Sequence, residues 1–160
     1  MRLYKFHDFE EWDSLDRSFL SMTKLQILQN IATAVVEVKN ELSMENGMKV
    51  MLKPPKEEEL TEGFSVYFSD KKMIVQYHAH IRLADVDSKK FEGEIDENIS
   101  FFVSKVKKKF KEMTGSNLNL NKVGDYDKEI FTMTMKRSWV VAKSVFEIKN
   151  KETDSDGDED

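Results

Sequence analysis

Apolar positions along the chain change period several times, and each change marks an element. From Thr23 the spacing is helical. Leu28, Ile31, Val35, Val38 and Leu42 recur at alternating steps of three and four, and Leu25, Ala32 and Val36 widen the stripe. Thr23 with Gln26 has the form of a capping box, and Met22 with Ile27 that of the accompanying hydrophobic staple, so a helix is predicted over 24–42, closed by Asn46-Gly47. Met48–Leu52 then reads as a short strand stopped by Pro54-Pro55, and residues 56–63 as a charged loop. The period next becomes two. Phe64, Val66 and Phe68 alternate with Ser65 and Tyr67; after a turn at Ser69–Lys72, Val75, Tyr77, Ala79, Ile81 and Leu83 alternate with Gln76, His78, His80 and Arg82. This pattern predicts an antiparallel hairpin with one dry face and one wet or interfacial face.

Beyond a polar loop at 84–95, Ile99, Phe102, Val103, Val106, Phe110 and Met113 restore the helical period and predict a second helix from about Asp96 to Met113, with Gly115 past its end. Strands are expected at Leu118–Val123 and Ile130–Met135. Ser138–Ile148 is rich in residues that favour extended backbone, either as a separate strand or as a continuation of the one before it. The fold class that follows is α+β: an antiparallel sheet of about five strands with two main helices packed on one face, and a disordered acidic C-terminal tail. Three regions are expected: an aromatic arm or short helix at 1–22, an α+β domain at 23–148, and the tail at 149–160. The arm holds Leu3, Tyr4, Phe6, Phe9, Trp12, Leu15 and Phe19, which suit packing on the core or docking on a neighbouring subunit.

Composition narrows the functional classes. The chain has 160 residues, no cysteine, six glycines and two prolines, which excludes disulfide and thiolate chemistry and leaves little material for a phosphate-cradling loop. No apolar run approaches the roughly 18 residues a membrane span needs, and the acidic N-terminus does not read as a secretory signal; a cytoplasmic or virion location is expected. The net charge of −5 is unevenly spread. Residues 149–160, KNKETDSDGDED, carry two lysines against six acids, so the remaining chain is close to neutral.

The chemistry candidates are few. His78 and His80 leave one strand face roughly 7 Å apart, a spacing that can chelate a metal with Asp85 or Asp87 nearby. With no cysteine and His7 distant in sequence, the ligand set is incomplete, and neither a metal nor a cofactor is expected. The same face offers an interface, with Gln76, His78, His80 and Arg82 joined by Phe9 and Trp12 of the arm. Lys105, Lys107, Lys108, Lys109 and Lys111 cluster on the second helix and can meet phosphates, although cations near a helix C-terminus are stabilised by its dipole in any case. Asp154–Asp158 fails as a calcium loop because Gly157 is misplaced and no closing glutamate follows. No nucleophile elbow or dinucleotide fingerprint is present, so no catalytic residue is assigned.

The order helix, strand, hairpin, helix, hairpin over about residues 23–148 is similar to that of small tail-terminator and neck proteins of tailed bacteriophages; the likeness lies in element order, with no shared motif. It implies a ring-forming virion component. The expectation is therefore a non-enzymatic assembly or adaptor subunit with protein partners and a homo-oligomeric state. The alternative is a nucleic-acid-binding accessory protein using the lysine-rich helix, with a small hydrolase at the His78/His80 face ranking third.

Overall fold

The computed structural model describes residues 23–132 and 136–150, so the arm at 1–22 and the tail beyond Asn150 lie outside the described residues. Helix α1 runs Lys24–Asn46. Its start is the capping box read from sequence: Thr23 Oγ1 accepts from Gln26 N at 3.1 Å, and Gln26 Oε1 accepts from Thr23 N at 2.9 Å. Gly47, left-handed at φ 68°, closes it by donating to Leu42 O. The buried stripe is Ile27, Ile31, Ala34, Val35, Val38 and Leu42. The expected widening fails, because Leu25 and Val36 are 64% and 40% exposed and Ala32 is exposed as well.

Strand β1, Lys49–Met51, follows, then residues 52–62 with one 3-10 turn at Glu57–Glu59, then β2, Gly63–Ser69, and β3, Lys72–Arg82. The β2–β3 turn places Asp70 and Lys71 at φ 51° and 63°, the left-handed pair whose twist suits a two-residue hairpin. A 3-10 turn at Leu83–Asp85 leads to α2, Lys89–Thr114. This helix begins seven residues before the expected Asp96. Ser88 caps it by accepting from Phe91 N at 3.1 Å, and buried Phe91 and Ile95 carry the core stripe back into what reads as loop. Strands β4, Leu120–Lys122, β5, Asp127–Thr132, and β6, Arg137–Ile148, complete the described chain, so β5 and β6 are two strands.

The sheet order is β1-β2-β3-β6-β4, with β5 also pairing β6. Strand β3 lies along one edge of β6; β4 and β5 lie in succession along the other. The expectation of a purely antiparallel sheet is corrected: β1 pairs β2 in parallel, Lys49 opposite Gly63, and among the described residues the sheet is mixed with six strands. The reason is the path of 52–62, which returns the chain to the end from which β1 started. Gly63, at φ 145°, is required at that junction, because a Cβ there would collide with the Lys49 carbonyl.

Both helices join one core with a single sheet face, made of Phe64, Val66, Met73, Val75, Ala79, Val140, Ala142 and Phe146. Phe64 sits 4.8 Å from Phe102 between ring centroids, which ties β2 to α2. Glu37 and Glu41 of α1 meet Lys105 and Lys109 of α2, so the helices run antiparallel. Among the described residues, no helix is long and apolar enough to cross a membrane.

Candidate functional site

The face of the sheet turned away from the helices carries the chemistry. Alternation puts Ser65 and Tyr67 of β2, Gln76, His78 and His80 of β3, and Trp139 and Val141 of β6 on this side, with Glu129 and Phe131 of β5 beside them through their pairing with β6. It divides into a covered half and a partly open half.

The covered half is not wet. Residues 52–62 lie over it, with Leu60 buried, and leave Gln76 at 8% and His78 at 1% exposure. The Nδ1 of His78 lies 3.2 Å from Thr61 O, and its Nε2 lies 3.0 Å from Ser65 Oγ. A carbonyl only accepts, so Nδ1 carries the proton and Nε2 accepts from the serine hydroxyl. Burial lowers the imidazole pKa below its ordinary 6.5, partly opposed by the bond to Thr61. Gln76 donates to Tyr67 Oη at 2.9 Å, while its Oε1 has no partner among the described residues.

Serine, histidine and an orienting carbonyl form the arrangement that activates a hydroxyl nucleophile. Access decides against that use. Ser65 is fully buried, and the nearby cavity of about 80 Å³ is lined by Pro54, Pro55, Glu57, Leu60, Gln76, Glu129, Phe131 and Val141, without either member of the pair. In this state the two residues anchor the covering segment. Ser65 escaped the sequence reading although the signal was present: a two-residue turn at Asp70-Lys71 sets Ser65 opposite Gln76 and Gly63 opposite His78.

The open half centres on a row across three adjacent strands. Phe131 pairs with Trp139, and Trp139 with His80; the His80 and Trp139 rings stack at 4.9 Å and 27°. Arg82 pairs with Arg137 in the adjoining row, and Arg82 Nε holds Asp85 at 2.9 Å. Around this end lie two recesses. One, about 310 Å³, is lined by Ile81, Arg82, Asp85, Ser88, Lys90, Phe91 and Glu94; the other, about 450 Å³, by Arg82, Leu83, Ala84 and Lys136. Of the six interface residues expected from sequence, Gln76 and His78 are buried, His80 and Arg82 reach the surface, and Phe9 and Trp12 lie outside the described residues. Trp139 and Phe131 were not anticipated.

Among the described residues, no group of three His, Asp or Glu side chains is placed to hold a metal. The lysine cluster separates into two sets. Lys109 bonds Glu41 and lies 3.8 Å and 3.6 Å from Glu37 and Glu112. Lys105 lies 3.9 Å from Glu41 and 5.5 Å from the Phe101 ring centroid. The bond from Lys109 lowers the Glu41 pKa and raises that of Lys109 itself. Lys107, Lys108 and Lys111 are exposed. No protein-family model matches the chain, and no curated protein sequence matches it either.

Proposed function

We propose that this protein is a non-enzymatic assembly or adaptor subunit that acts through protein-protein contacts as a homo-oligomer. The observation that carries the reading is the Phe131–Trp139–His80 row beside Arg82, half-buried on a sheet face whose neighbouring His78 portion is covered. Aromatic and arginine side chains are enriched among the hot spots of protein interfaces, the rings because they bury large area at small conformational cost and arginine because its planar fork makes paired hydrogen bonds. The sealed Ser65–His78 pair, with no route from solvent among the described residues, weighs against the hydrolase reading. A virion role of the tail-terminator or neck type rests on the similarity in element order alone, and with it a cytoplasmic or virion location.

The alternative, nucleic-acid binding by α2, keeps support from exposed Lys107, Lys108 and Lys111 but loses Lys105 and Lys109, whose charge is met by Glu37 and Glu41. Size-exclusion chromatography with light scattering separates the two. Wild type is expected to elute as a defined oligomer, and Arg82→Glu to shift towards monomer with an unchanged circular dichroism spectrum. A wild type that stays monomeric at the highest soluble concentration overturns the self-assembly reading. Salt-sensitive capture of single-stranded DNA by such a monomer would favour the alternative.

A further inference from the structure

The Phe131–Trp139–His80 row has charge of opposite sign on its two sides, and the strand register fixes where. Arg82 pairs with Arg137, and Glu129 with Val141. Trp139 lies midway between Arg137 and Val141 on β6, so Arg82, Trp139 and Glu129 fall on one diagonal across β3, β6 and β5. Alternation sends all three to the face turned away from the helices. With a rise of about 3.4 Å per residue and a strand spacing of about 4.8 Å, the arginine and the glutamate each stand about 8 Å from the tryptophan, on opposite sides.

The two ends are complementary. Exposed Arg137 and Lys136 join Arg82 at one. At the other, Glu57 of the segment 52–62 joins Glu129, and both line the cavity of about 80 Å³ together with Pro54, Pro55 and Phe131. Gln76 lines it as well, and its Oε1 has no partner among the described residues. A cavity so built suits a guanidinium, which brings five N–H donors to carboxylates and an unmet amide oxygen, and a flat cation to the Phe131 ring. Its volume is more than twice the roughly 30 Å³ share of a water molecule, room for a planar group. Arg82 holds Asp85 through Nε, which leaves its Nη groups to donate elsewhere. The cavity of its own chain is out of reach, because the two ends stand about 16 Å apart.

Given the self-assembly proposed above, we infer that a second copy of this chain docks on this face about a two-fold axis through Trp139, with each Arg82 guanidinium in the Glu57–Glu129 cavity of the other copy. Opposite charges at equal distances on either side of one tryptophan make a face that matches itself. A two-fold axis lying in the interface and crossing the diagonal at Trp139 lays Arg82 of each copy over Glu129 of the other, and Trp139 against its own counterpart.

Light scattering on the full-length chain tests the pairing. Glu129→Arg and Arg82→Glu, both at exposed positions, should each keep the wild-type circular dichroism spectrum and associate at least about tenfold more weakly, because like charges then face each other across the contact. Mixed in equal amounts, the two variants should recover wild-type affinity as a one-to-one complex, since every reversed residue meets its complement. Glu129→Gln, which removes the charge without reversing it, should weaken association severalfold and serves in place of the reversal if that disturbs β5. Glu129 variants that assemble like wild type overturn this docking geometry and leave an oligomer built elsewhere. So do single variants that stay apart when mixed, or a wild type with an odd number of copies, which a self-matching contact does not build. A monomeric wild type overturns this contact and the self-assembly reading together.

Discussion

His78 lies between two partners of different character, a carbonyl that needs a donor and a hydroxyl that can give or take, and this makes its charge state a term in stability. In the unfolded chain the imidazole returns to its ordinary 6.5; in the folded chain burial holds it lower. Between those two values the unfolded state binds a proton that the folded state does not. Stability therefore falls as pH drops below 6.5 and levels off once the folded value is passed. His78→Gln should flatten that slope in urea titrations between pH 7.5 and 5.5, while costing about 1–3 kcal/mol at pH 7.5 because Ser65 and Thr61 lose a matched partner. A slope identical to wild type would show that the buried imidazole is not the titrating group.

At the level of elements, sequence and structure agree where the signal is local and part where it is tertiary. The capping box at Thr23 and the turn at Asp70-Lys71 depend on three or four neighbouring residues, and both appear as read. The start of α2 did not, because Gly93 and the acids around it look like loop, whereas the fold keeps Phe91 and Ile95 on the buried stripe and caps at Ser88. The direction of β1 was illegible for a different reason: no residue within Lys49–Met51 encodes parallel pairing, which depends on the route of 52–62. The lysines show the same divide. Their number could be counted, but which of them face acids depends on how α1 crosses α2. A double-mutant cycle of Lys109→Met and Glu41→Gln should give a coupling of about 0.5–1 kcal/mol, as for a partly exposed pair, that shrinks in 1 M salt. Additive effects would mean that the two helices are held by their apolar faces alone.

Over the whole molecule, the period-two run up to Leu83 marks a long strand where Lys72–Arg82 forms one, and this strand lies third in the sheet order, paired by β2 on one edge and β6 on the other; β6 is likewise paired along both edges, by β3 on one side and by β4 and β5 on the other. The alternation in β3 also implied a wet or interfacial second face, since period two reports which side chains share a face and says nothing of what covers it. Residues 52–62 cover the half at His78, and the His80–Trp139 half stays partly open, so a contact made through these aromatic side chains lies at the end where β3 stops and β6 begins. Trp139 is well placed to report on it. The chain has two tryptophans, and Trp12→Phe leaves Trp139 as the sole emitter. If this end is buried between copies, its emission should shift to the blue as protein concentration rises through the range where light scattering detects the oligomer, because the indole then leaves water. Arg82→Glu should abolish the shift and the oligomer together. An oligomer that forms with unchanged Trp139 emission would place its contacts elsewhere, on the outer edge of β5 or the exposed flank of α1 at Leu25 and Val36, where unpaired backbone and bare apolar surface also invite association.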